Sequence, residues 1–105
     1  MYKLAISTSG EYVSAAIFEE KLLASFVSKT NKGSTGILLN QINELFDKTK
    51  ASRNDLNALY LDVGPGYYTG LRIGLSVSQG LGAVLGIPII PVNGLDALAF
   101  AAHTS

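Results

Sequence analysis

The sequence predicts an α/β fold with the element order βββαβαβα, a mixed sheet flanked by helices. Three features carry that prediction. The first thirty residues alternate in polarity with strand period and are broken only by short turns. A stretch near residues 34–50 repeats its apolar residues with helical period, and a long proline-free segment from Gly70 to Leu85 also reads as a helix. Between and after them stand two short apolar runs, Leu59–Val63 and Ile87–Val92. Strands joined through helices lie parallel, whereas strands joined by short turns lie antiparallel, so the sheet is mixed.

The elements follow in order. Tyr2, Leu4 and Ile6 alternate with Lys3, Ala5 and Ser7, and Thr8-Ser9-Gly10-Glu11 reads as a turn. Tyr12–Phe18 is a second strand, with Val13, Ala15 and Ile17 on one face. Glu19-Glu20 connects it to a third strand over Lys21–Thr30, and the three form an antiparallel meander. Ser34 or Thr35 caps a helix that runs to about Lys50. Leu38, Ile42, Leu45 and Phe46 form its core stripe, and Lys48 and Lys50 suit the negative end of its dipole. Ile37 and Leu39 flank the stripe, a weak sign of a partner. Residues 52–56 read as one capped turn. After Ile87–Val92, where Pro88 and Pro91 favour an edge position, Asn93-Gly94 turns the chain into a short alanine-rich helix, Leu95–Ala102.

Composition narrows the function. The 105 residues suit one domain, and a formal net charge of zero supplies no basic field for non-specific nucleic-acid binding. Cysteine is absent and His103 is the one histidine, so thiolate chemistry and histidine-rich metal clusters have no residues to work with. No secretory leader pattern opens the chain, and no apolar tract is long enough to span a bilayer, so a cytoplasmic location is expected.

The densest signal is Gly64-Pro65-Gly66-Tyr67-Tyr68-Thr69-Gly70-Leu71-Arg72-Ile73-Gly74, placed between a strand and a helix. Gly64 and Gly66 permit positive φ around Pro65, and Thr69 is placed to cap the helix. Glycine does not recur where the Rossmann pattern needs it, and the Walker lysine is missing. Spacing alone therefore fits a ligand cradle or a tight connection equally well. The helix beyond carries Gly70, Gly74, Ser78, Gly82 and Gly86 at four-residue intervals. Each interior glycine costs about 1 kcal/mol relative to alanine, so a ridge of them needs an offset. Close packing on the sheet is one; a helix contact with a second chain is the other. For the second, the interface candidates are Ile37, Leu39, Gly70, Gly74, Ser78 and Gly82.

The eleven-residue stretch resembles the Gly-Pro-Gly-(Ser/Gly)-Phe-Thr-Gly-Leu-Arg-Ile-Gly signature of the bacterial TsaB proteins, also called YeaZ. The similarity continues through Gly80-Leu81, Ile87-Pro88, Val92 and Leu95-Asp96-Ala97-Leu98. The resemblance implies an actin-like ATPase (ribonuclease H-like) half-domain over residues 1–105, with the family's second half-domain absent from this chain. It implies a non-catalytic subunit of tRNA threonylcarbamoyladenosine (t6A) biosynthesis that pairs with and supports the catalytic TsaD. The further partners it implies are a TsaE-like ATPase, a second copy of the chain, and tRNA through the complex alone. Carried over by position, the motif residues are Gly64, Pro65, Gly66, Thr69, Gly70, Arg72 and Gly74. No cofactor or metal is expected in this chain alone, and ATP belongs at the level of the assembly. Ser7 stands where the family has Asp in its first strand, which argues against nucleotide hydrolysis. Two alternatives stay open: a stand-alone homo-oligomeric interaction module, and a nucleotide-binding or hydrolysing actin-like protein with Asp62 as its nearest carboxylate.

Overall fold

In the computed structural model, which describes residues 2–8, 12–29, 34–64 and 68–93, the strand β1 (Tyr2–Ser7) lies at the centre of a five-stranded sheet. β2 (Tyr12–Phe18) pairs antiparallel with it, and β3 (Leu22–Lys29) pairs antiparallel with β2. Helix α1 (Ser34–Thr49) then leads to a 3-10 turn (Arg53–Asp55) and β4 (Leu56–Asp62), which joins the free edge of β1 in parallel. Helix α2 (Tyr68–Leu85) leads to β5 (Ile89–Val92), parallel to β4 at the sheet edge. The spatial order is β3-β2-β1-β4-β5, and the described elements run in the expected order βββαβαβ. The final helix expected over Leu95–Ala102 lies outside the described residues.

Alternation decides which side of each strand is buried. Leu4, Ile6, Val13, Ala15, Ile17, Leu59 and Leu61 point to one face and join Leu38, Ile42, Leu45 and Phe46 of α1 and Val77 of α2 in a single core. Both helices therefore cover the same face of the sheet. Each fully buried side chain of this size contributes roughly 1.5–3 kcal/mol. The helix stripe read from sequence is the one the fold buries, while Leu39 is 41% exposed.

Several boundaries differ from expectation, each for a local reason. β3 begins one residue later than expected, because a register shift at Ile17/Phe18 pairs Phe18 with Leu22. β4 begins at Leu56 rather than Leu59, since Leu56 and Ala58 pair with Tyr2 and Lys3 across an irregular register. β5 begins at Ile89 rather than Ile87. The Ile87 N–H is committed to Gly82 O at 3.2 Å, and Pro88 has no N–H to give. Ser52 does cap the 3-10 turn, its hydroxyl accepting from Asn54 N at 3.2 Å. Thr69 is not the cap of its helix. α2 already starts at Tyr68, so Thr69 lies inside the first turn.

Candidate functional site

The glycine turn is built from the ends of β1 and β4. Because these strands are parallel, Ser7 and Asp62 finish at the same end of the sheet. Ser7 Oγ donates to Asp62 Oδ2 at 2.8 Å. Asp62 Oδ1 accepts from the Gly64 N–H at 2.9 Å, the short-range bond that tightens an Asx-type turn. Gly64 holds φ 108°, a region that favours glycine, as the sequence requires of this turn. Val63 N donates to Val92 O at 2.9 Å, tying the start of the turn to β5. Asp62 is only 8% exposed, so its carboxylate serves as an internal acceptor. Pro65, Gly66 and Tyr67 lie outside the described residues, and Thr69 and Gly70 are described only as helical backbone.

Behind the turn, α2 packs closely on the sheet. A Cβ at Gly74 would overlap Thr8 Oγ1 and stand 3.2 Å from Leu61 Cδ1. Ser78 is fully buried. A Cβ at Gly82 would meet Ile87 O and Ile89 Cγ1 and Cδ1, each at 3.3 Å. Gly86, at φ 67°, ends the helix, and its N–H and that of Ile87 both reach Gly82 O. These contacts correct the expectation that Gly74, Ser78 and Gly82 meet a second chain. Their ridge faces the chain's own strands, and its glycines are offset by helix-to-sheet approach. The outward side of α2 is a different set: Arg72, Leu75, Ser76, Gln79, Gly80, Ala83 and Val84 are exposed. A Cβ at Gly80 would meet nothing within 4 Å. From Leu75 to Gly86 this side carries no charged residue.

A family model described as TsaD, tRNA N6-adenosine threonylcarbamoyltransferase, matches residues 22–105. The chain belongs to this family, on its TsaB (YeaZ) branch. The tRNA threonylcarbamoyladenosine biosynthesis protein TsaB of Buchnera aphidicola subsp. Schizaphis graminum is 34% identical over 91% of this chain and 46% of its own length. TsaB of Haemophilus influenzae is 32% identical over 94% of this chain and 42% of its own length. The solved structure of YeaZ from Pseudomonas aeruginosa superposes with a TM-score of 0.90 at 30% identity, covering 99% of this chain and 49% of that one. The chain thus spans just under half the length of the relatives it matches. The five-stranded mixed sheet with its flanking helices is the actin-like, ribonuclease H-like half-domain that the family resemblance implies.

Within this family frame, the structure brings together Ser7, Thr8, Asp62, Gly64 and Gly74 at one end of the sheet. Sequence reasoning singled out Gly64 and Gly74 but missed the Ser7–Asp62 bond and the burial of Thr8. Partners separated by 55 positions leave no local spacing to read. Arg72 sits on the exposed side of α2, away from the buried ridge, and the side chain of Ile37 lies outside the described set. Among the described residues, no group of three or more His, Cys, Asp or Glu side chains converges, and no helix is long and apolar enough to cross a membrane.

Ser78 supplies one test of this packing. Its hydroxyl is buried with no hydrogen-bond partner among the described residues. An unpaired buried hydroxyl is costly, and alanine is the better helix former. Ser78→Ala is expected to raise stability by about 1 kcal/mol, visible as a higher Tm. A lowered Tm would mean that the hydroxyl is satisfied after all.

Proposed function

We propose that the chain is a non-catalytic subunit of tRNA threonylcarbamoyladenosine biosynthesis, holding a TsaD-type catalytic subunit through the outward side of α2 and the adjoining part of α1. The observation that carries this reading is the exposed side of α2 from Leu75 to Gly86, which carries no charged residue, with Leu75 at 44% and Val84 at 84% exposure. Leu39 adds an exposed apolar side chain from α1, which packs beside α2. A charge-free, small-residue helix face allows close approach of a second helix, and charge depletion marks the centre of protein interfaces. Family membership supports a TsaD-type protein as the partner. In this reading a TsaE-like ATPase and tRNA join through the assembly, and a second copy of the chain competes for the same face.

The turn supports a structural rather than a catalytic role. Both oxygens of Asp62 accept internal hydrogen bonds, Oδ2 from the Ser7 hydroxyl and Oδ1 from the Gly64 N–H. That donor set suits a braced turn better than a seat for a metal-bound phosphate. In this reading Asp62 braces the β4 end, and a nucleotide is expected only at the level of the assembled complex.

Co-purification with a TsaD-type protein tests the proposal. Val84→Glu places a charge on the exposed face without touching the core. It is expected to weaken association about tenfold or more, the scale of a central interface residue, and to leave the circular dichroism spectrum unchanged. Equal capture of the parent chain and Val84→Glu would refute this face as the binding surface. Failure of the parent chain to bind at all would refute the partner.

A further inference from the structure

Arg53 opens the 3-10 turn between α1 and β4, and its side chain is held in place from two sides. The guanidinium lies over the Phe46 ring, 4.8 Å from the centroid, and Nη2 donates to Asn43 Oδ1. Phe46 is buried in the core and Asn43 is exposed on α1. The core therefore supplies the platform and the helix surface supplies the anchor. Fixing so long a side chain costs rotamer entropy, which the stacked cation and its hydrogen bond offset. The charge itself is left unused: among the described residues no carboxylate pairs with Arg53. Bracing the turn does not call for a cation, because the acceptor is a neutral amide.

We infer that Arg53 is a preset anchor that receives a carboxylate side chain of the TsaD-type partner at the rim of the binding face, an inference that rests on the function proposed above. Geometry is the first argument. One N–H is committed to Asn43, and the others remain as a planar fork that matches a carboxylate. The side chain is already ordered, so a ligand that meets it loses little further entropy. Position is the second. Asn43 stands one turn beyond Leu39 on the same side of α1, and Leu39 is the exposed apolar residue of α1 on the proposed face. Arg53 thus continues that face at its polar edge, where charge serves specificity and rate of encounter. Charge is the third. From Asn43 to Asp55 three basic residues, Lys48, Lys50 and Arg53, are balanced by Glu44, Asp47 and Asp55. A neutral neighbourhood does not attract a nucleic-acid backbone, whose binding needs a basic field. It suits one carboxylate set among other polar groups of a protein.

The test is the affinity for a TsaD-type protein at low and at raised salt, measured for the parent chain, Arg53→Gln and Arg53→Lys. Arg53→Gln is expected to bind about tenfold more weakly at low salt and to lose less of its affinity as salt is raised. Its Tm is expected to fall by no more than a few degrees, since only exposed contacts are removed. Arg53→Lys keeps the charge without the fork and is expected to recover part of the affinity. An Arg53→Gln chain that binds like the parent, while Val84→Glu does not, overturns the anchor and leaves the binding face standing. Equal salt dependence of the parent and Arg53→Gln overturns it too. So does a loss of binding that only tracks a loss of folded chain, which would make Arg53 a brace of the turn and nothing more. Capture of tRNA by the parent chain alone, lost in Arg53→Gln, would assign the cation to a phosphate backbone and overturn the carboxylate. A parent chain that does not bind a TsaD-type protein at all refutes the proposed function and the anchor with it.

Discussion

Gly74→Leu is expected to destabilise the fold by about 3 kcal/mol. The added side chain has no room: even its Cβ would collide with the buried Thr8 hydroxyl and press on Leu61. Neither neighbour can yield easily. Thr8 follows the central strand directly, and Leu61 is part of the core. Against a total stability of roughly 5–15 kcal/mol, such a loss leaves a substantially unfolded population. The control lies on the same helix. Gly80 has open space around it, so Gly80→Ala is expected to stabilise by about 1 kcal/mol through helix propensity alone. Urea titration of the two variants should move the midpoints in opposite directions. A similar shift for both would mean that the helix is not seated on the sheet as described.

Asp62→Ala is expected to cost about 3 kcal/mol, because it removes two acceptors at once. The Gly64 N–H is buried and would lose its partner, and the Ser7 hydroxyl would lose its own. Asp62→Asn separates this bracing role from an acid–base one. The asparagine carbonyl still accepts from Gly64 N, and its amide can donate to Ser7 Oγ. Its cost should stay below about 1 kcal/mol by the same denaturant measurement. Association with a TsaD-type partner should follow stability in both variants. A folded, stable Asp62→Asn chain that nonetheless loses its biological activity would point to chemistry at the carboxylate instead.

The parts of this fold that were legible in the sequence are those set by local pattern. Strict alternation fixed both ends of β1 and β2. The spacing of Leu38, Ile42, Leu45 and Phe46 identified the buried side of α1. Gly64 was legible because no other residue holds φ 108° at comparable ease. The direction of the α2 ridge was not legible from the glycines themselves, since a small residue fits an internal contact and a partner contact alike. The larger neighbours held the answer. Ile73, Val77, Leu81 and Leu85 flank Gly74, Ser78 and Gly82, and all of them pack into the core or against it. Weighing those flanking residues, rather than the period of the small ones, assigns the ridge to the sheet. The start of β4 was masked for another reason. Asn54, Asp55 and Asn57 have turn chemistry, yet Asn57 is carried along in the strand by the pairing of Leu56 and Ala58 with β1.

The position of β1 also sets an order of events in time. One of its edges is filled by β2 only a few residues later, but the other waits for Leu56–Asp62, after the whole of α1 has been made. During synthesis the meander therefore emerges first, with the middle strand of the future sheet exposed along one side. Closing that side requires the longest-range pairing among the described strands, so the arrival of β4 is expected to be a late step of folding. Until it arrives, the exposed edge of β1 is a template for any other extended segment, including the same strand on a neighbouring nascent chain.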